Sequence, residues 1–291
     1  LAIILKITTM FTDYTDDLNG EFINQIENLN GYNEFDFYYI INAFGSVMSG
    51  HSKLFDCWIY ESNDRWCVGL WINGNYLLNS KNLTKEDINL INSKVNFSQF
   101  KINGFHFAGD TEIIEQLAQI NSDFSLEPFK ERYYYNLNYL KLKSKFTNEV
   151  SSINKDDVSK IAVLYQQYFH EEYNGLNDKD LQSVEEKVES LRLRKLIFKL
   201  TINNKIIGFC SVMSFLNEEP NMIGTIFIDS NHRKNGNGKH LLSYVINKIY
   251  KSNNQIFLMT TKESLASNKM VESVGFEKQY EHSDRLIKNY G

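Results

Sequence analysis

The 291-residue chain has 42% hydrophobic residues, 23% charged residues and a formal net charge of −5. That balance suits a globular protein and is too apolar for a disordered one. The acidic excess offers no basic face for nucleic-acid phosphates, and no run of about 18 apolar residues predicts a membrane span.

The length suits one large domain or two medium ones. Leu1–Leu5 is apolar, but it is short, lacks a basic leader and is soon followed by Asp13, so it does not read as a signal peptide. Cys57, Cys67 and Cys210 are odd in number and form no CxxC, which argues against a disulfide framework or structural zinc. The expectation is buried thiols in a reducing cytoplasm, with no metal.

In chain order, Glu21–Leu29 has Phe22, Ile23, Ile26 and Leu29 at helical spacing. Phe55–Tyr60 and Trp66–Ile72 read as strands, rich in aromatic and β-branched residues. Asn73-Gly74-Asn75 is a hairpin turn leading into Tyr76-Leu77-Leu78. Thr84 caps a helix, with Asp87 three positions on and Ile88, Leu90, Ile91 and Val95 behind it. A strand at Phe105–Ala108, a helix at Thr111–Ile120 and a tyrosine-rich strand at Tyr133–Leu140 follow. Residues 141–149 are polar and aperiodic, and place a linker near 141–150. The expected domains are therefore 1–145 and 146–291.

Beyond the linker, Asp156–Tyr168 is an amphipathic helix and Ser183–Leu193 a second. Leu196–Ile202 and Ile206–Phe215 are hairpin strands around Asn203-Asn204, and Met222–Ile228 is a third strand. Asn237–Tyr250 is a helix with Leu241, Leu242, Val245, Ile246 and Ile249 on one face. Ile256–Thr260 is a strand, Ser264–Val274 a helix stopped by Gly275, and Arg285–Lys288 a weak final strand.

The segment Arg233-Lys234-Asn235-Gly236-Asn237-Gly238-Lys239 joins a strand to a helix. Free backbone N–H groups and the helix dipole at such a junction favour a phosphate or pyrophosphate. Gly236 and Gly238 allow close approach, and Arg233 and Lys239 add positive charge. A P-loop is excluded, since Gly238-Lys239 is followed by His240 and Arg233 stands where the first glycine belongs; a dinucleotide fingerprint fails at Leu241. What remains is R-x-x-G-x-G.

Residues 228–238 resemble motif A of the GNAT superfamily of N-acetyltransferases, Q/R-x-x-G-x-G/A after a strand. Met270-Val271-Glu272-Ser273-Val274-Gly275-Phe276 resembles its later L-Y-x-x-x-G-F element, one helix and one strand downstream. The resemblance covers roughly residues 150–291. It implies an α/β fold with a mixed, mostly antiparallel central sheet flanked by helices. It implies acetyl-CoA as co-substrate, with the pantetheine arm along Ile226, Phe227 and Ile228 and the pyrophosphate at Arg233 through Lys239. The late helix lies along the CoA arm; its usual asparagine is Ser264 here, with Asn268 one turn on as a substitute. The N-terminal half, mixed in order and without a phosphate loop, resembles the degenerate first copy of a tandem protein, so two GNAT-like domains are expected. The alternative is an unrelated α/β substrate domain.

The family's frequent proton donor, the tyrosine of L-Y-x-x-x-G-F, is Val271 here, which cannot donate. No acidic residue stands in Gly224–Ile228 to act as base. The catalytic candidates are Glu171 and Glu172, in a His170–Tyr173 segment read as following a helix, and Tyr280, with His282 beside it; His240 reads as a surface residue. The expected activity is acetyl transfer to a small-molecule or peptide amine, without nucleic-acid or membrane partners. A non-catalytic acyl-CoA-binding regulatory module is the alternative, and aminoacyl transfer from a charged tRNA is disfavoured by the acidic balance.

Overall fold

A computed structural model of the chain describes residues 11–17, 19–100, 104–121, 125–137, 149–216, 219–250 and 255–288. One succession of elements, β-α-α-β-β-β-α-β-α-β, runs twice along it. The first pass is β1 (Phe11–Asp13), α1 (Glu21–Glu27), α2 (Tyr38–Met48), β2 (Leu54–Ser62), β3 (Arg65–Ile72), β4 (Asn75–Lys81), α3 (Lys85–Val95), β5 (His106–Asp110), α4 (Thr111–Ile120) and β6 (Ser125–Leu137). The second is β7 (Val150–Ser152), α5 (Val158–Tyr173), α6 (Leu181–Leu193), β8 (Ile197–Ile202), β9 (Lys205–Met213), β10 (Met222–Ile228), α7 (Asn237–Ile249), β11 (Ile256–Thr261), α8 (Leu265–Val274) and β12 (Glu277–Lys288).

The chain divides into two compact units, Leu1–Tyr133 with Tyr280–Gly291, and Tyr134–Gln279. Most of the linker expected at 141–150 lies outside the described residues, which resume at Glu149. The final strand returns to the first unit, so no single cut in the sequence separates the two.

In the first unit β1, β2, β3 and β4 pair antiparallel in sequence order. β5 joins β4 in parallel and β12 joins β5 antiparallel. The helix between the parallel strands is the crossover such a pair requires. One face packs α1 and α2 through Phe22, Ile26, Ile40 and Phe44; the other packs α3 and α4 through Ile88, Ile91, Ile113 and Leu117.

The second unit repeats the pattern. β7, β8, β9 and β10 form an antiparallel series, and β11 joins β10 in parallel. Asn203 and Asn204 both take positive φ, as a tight primed hairpin turn needs, and asparagine tolerates that region better than most residues. On one face Ile161, Ala162 and Tyr165 of α5 and Val184 and Val188 of α6 pack against Ile197, Phe209 and Phe227. Leu241, Leu242, Val245 and Ile246 of α7 and Val271 and Val274 of α8 are buried as well.

Most expected elements form within a few residues of their predicted ends, with four differences. α2, β1 and β7 have no counterpart in the sequence pattern. α5 runs on to Tyr173, so His170–Tyr173 is its last turn and not a segment after it. The strand expected at Tyr133–Leu140 begins at Ser125, and its last three expected residues lie outside the described ones. The weak strand at Arg285–Lys288 is twelve residues long, Glu277–Lys288.

Candidate functional site

The site grows from a defect in the sheet. β10 and β11 pair only at Met222–Ile223 opposite Phe257–Leu258. At Gly224 the register of β10 against β9 shifts, as in a β-bulge. β10 then continues to Ile228, paired on its β9 side through Thr225–Ser211, Ile226–Cys210, Phe227–Phe209 and Ile228–Gly208. On its β11 side, among the described residues, that stretch has no ladder partner. Its N–H and C=O groups form an open backbone edge inside the unit, which an extended chain can pair with.

The open edge leads to the glycine loop. Residues Arg233–Gly236 are exposed. Lys234 and Gly236 take left-handed backbone, φ 65° and 79°, and Gly236 is the residue before α7. No side chain caps α7, so its first amides keep the donor capacity of a bare helix N-terminus. A Cβ on Gly236 would meet nothing within 4 Å, so the space in front of the helix is open. A Cβ on Gly238 would come to 2.8 Å from Met270 Sδ, which shows how closely α7 approaches α8 there. Asn237 Nδ2 donates to the His232 carbonyl at 2.8 Å, and the Asp229 carboxylate accepts from the Asn231 amide, which holds its pKa below the usual range.

Arg233 makes three contacts within the unit. Its Nε donates to the Ile228 carbonyl at 2.7 Å and its guanidinium sits 5.1 Å over the Phe227 ring. Phe227 packs with α5, so the charge lies on the α5 face of the sheet. Its Nη2 reaches the Glu171 carboxylate at 2.8 Å.

Thr261 Oγ1 donates to Glu172 Oε1 at 3.0 Å. Buried Tyr165 and Thr225 hydroxyls lie 3.0 Å apart. Ser264 precedes α8 and bonds Ser267 Oγ at 2.8 Å. Asn268 is buried; its amide nitrogen donates to the carbonyl of Lys262 at 3.1 Å and its oxygen accepts from Thr260, so it ties the end of β11 to α8. Val271 is 1% exposed and belongs to the interior. His240 is half-buried, with Nε2 3.7 Å from Glu149.

Tyr280 belongs to the first unit, where its hydroxyl donates to Asn79 Oδ1 at 3.1 Å and burial pushes its pKa well up. His282 is buried beside the Tyr39 ring, and burial lowers its pKa to about 3. The three cysteines are free and buried, and burial raises each thiol pKa. Among the described residues no cluster of three metal-ligating side chains occurs, and no helix is long and apolar enough to cross a membrane.

The equivalent place in the first unit is closed by its own side chains. β4 and β5 stay paired over four positions, Asn75–His106 to Leu78–Gly109, and Ser80 Oγ then donates to Asp110 at 2.8 Å. A Cβ on Gly109, at φ 145°, would come within 1.7 Å of the Leu78 carbonyl oxygen, so only glycine permits this approach. The N-terminus of α3 carries a full capping box between Thr84 and Asp87. Burial pushes the Asp87 pKa up, but hydrogen bonds from Tyr60 and Thr84 and the charge of Arg65 more than offset it. A protein carboxylate thus sits at the start of α3, where α7 in the second unit has no side-chain cap.

A family model described as Acetyltransferase (GNAT) family matches residues 159–276, the span that contains the opened strands and the glycine loop. Over that span the chain is similar to the GNAT acetyltransferases. The solved structures it resembles extend the likeness to nearly the whole chain. An acetyltransferase from the GNAT family of Colwellia psychrerythraea aligns over 96% of this chain and 99% of its own, with a TM-score of 0.58 at 12% identity. A GCN5-related N-acetyltransferase from Sphaerobacter thermophilus aligns over 97% and 96%, with a TM-score of 0.62 at 11% identity. A tandem GNAT protein from the clavulanic acid biosynthesis pathway aligns over 97% and 98%, with a TM-score of 0.51 at 10% identity. Likenesses at such identities show fold alone, and with the repeated element order they make the first unit GNAT-like in fold. No curated protein matches the chain by sequence.

Proposed function

We propose that the Tyr134–Gln279 unit binds acetyl-CoA and transfers its acetyl group to an amine of a small molecule or peptide in the cytoplasm. The observation that carries this reading is the open edge of β10 followed, through the glycine loop, by an uncapped helix N-terminus. An extended amide-bearing arm can pair with Ile226, Phe227 and Ile228, and a pyrophosphate can take the amides of Lys234, Asn235, Gly236, Asn237, Gly238 and Lys239. Ser264 stands at the start of α8, while Asn268 shapes the end of β11. Acetyl-CoA supplies an activated thioester; the unit's contribution is to hold it beside an amine with little acid–base assistance, since Val271 is buried and apolar. Unpaired buried thiols agree with a reducing compartment.

Isothermal titration with CoA, followed by thiol-release assays against polyamines, aminoglycosides, amino acids and peptides, tests the proposal. Binding with turnover on one amine class supports it; no CoA binding removes it. Binding without turnover on any class favours the second reading, an acyl-CoA-sensing module, for which the buried Val271 speaks.

A further inference from the structure

Beyond the last pair of the short ladder, β10 is held by β9, but β11 has lost β10 as a neighbour. Something else must fix the distance between the two arms. Three side chains of α5 reach the three corners of the gap. Tyr165 Oη meets Thr225 Oγ1 at 3.0 Å, at the corner where pairing stops. Glu171 grips Arg233 at 2.8 Å, and Arg233 is anchored to the Ile228 carbonyl and the Phe227 ring at the end of one arm. Glu172 accepts from Thr261 at 3.0 Å, at the end of the other. Consecutive helical residues point about 100° apart, so one turn can reach both arms. That turn is itself fixed: Asn174 ends α5 in left-handed backbone at φ 50°, and Asp178 bonds His170 Nδ1 at 3.0 Å.

We propose that the last turn of α5 is a crossbar that sets the width of the gap between β10 and β11, with Glu171 and Glu172 as positioning residues for the ligand that fills it. The proposal rests on reading that gap as the acyl-CoA slot. It assigns Arg233 to the frame of the slot and not to the phosphates.

The sign of one measurement separates this role from plain electrostatics. Removing two carboxylates near a polyanionic ligand would by charge alone tighten its binding. Loosening the crossbar weakens it. The test is titration of wild type, Glu171→Ala/Glu172→Ala and Glu171→Gln/Glu172→Gln with CoA and with 3′-phospho-ADP, the nucleotide half that lacks the arm, each protein also melted thermally. Breaking the Glu171–Arg233 and Glu172–Thr261 bonds together, both half-exposed, predicts about tenfold weaker CoA binding in the alanine pair. The glutamine pair, whose carbonyls accept the same bonds, recovers most of that loss, and 3′-phospho-ADP binds all three proteins within about twofold. Unchanged or tighter CoA binding in the alanine pair overturns the crossbar, as does an equal loss for both ligands. A wild-type chain that binds neither ligand overturns the acyl-CoA reading, and the crossbar with it.

Discussion

Gly236 is the position where charge in front of α7 can be varied with least structural disturbance. Its φ of 79° is costly for most residues but tolerable for asparagine and aspartate, and a side chain there points into open space. Gly236→Asn and Gly236→Asp therefore share shape and backbone cost and differ by one charge. A carboxylate about 6 Å from a bound phosphate, at effective dielectric constants between about 80 and 20, opposes binding by about 0.7–3 kcal/mol per phosphate charge. That corresponds to roughly 3- to 150-fold weaker CoA binding in the aspartate variant than in the asparagine one. The ligand-free aspartate protein does not suffer for its charge, since an anion at a helix N-terminus is favoured by about 0.3–1 kcal/mol. Titration of both variants with CoA at low and high salt is the assay, and the gap should narrow as salt screens it. Equal dissociation constants at low salt would refute the placement of the pyrophosphate.

In the first unit, burial and the neighbouring Asp110 raise the Asp36 pKa to about 6. The unfolded chain ionises near pH 3.8 and the folded one near 6, so stability falls as pH rises between them and stays lower above. Asp36→Asn should stabilise the protein at pH 7.5 by about 2 kcal/mol, the linkage equivalent of roughly two pKa units discounted for residual solvation, and much less at pH 4; urea melts showing equal gains at both would contradict this. Asp87→Ala removes a capping box and leaves Arg65 unmatched, and should cost about 3 kcal/mol by the same melts without changing CoA affinity. Val271→Tyr, which would restore the family's usual donor type, forces a larger side chain into a site that is 1% exposed; a loss of about 2 kcal/mol in stability, without gain in turnover, is expected. A faster, fully stable variant would show that the interior has room for it.

The glycine loop is legible in the sequence because its signals are local: a strand, two glycines and a helix start in fixed order. Asn203-Asn204, Thr84 with Asp87, and Gly275 announce a turn and two helix ends for the same reason. α2 is hidden because Tyr38-Tyr39-Ile40-Ile41 reads as readily as strand, and β12 because a stretch such as Glu277-Lys278-Gln279-Tyr280 carries no apolar alternation. The defining feature of the site, the early end of the β10–β11 ladder, is a tertiary event with no single residue to mark it beyond Gly224. The sequence marks the charge of Arg233 but not the carbonyl, ring and carboxylate it meets in the fold. The closure of the first unit is half visible: Asp87 reads as a cap, but Gly109 against Leu78 emerges only in the folded sheet.

The most direct test of the central claim is amide hydrogen exchange with and without CoA. Saturating CoA should slow exchange at Thr225–Ile228 and at Lys234–Lys239, with no change at Lys85–Asp87 of the self-capped α3. Protection at α3 instead, or none along β10 and the glycine loop under conditions where CoA is bound, would contradict it.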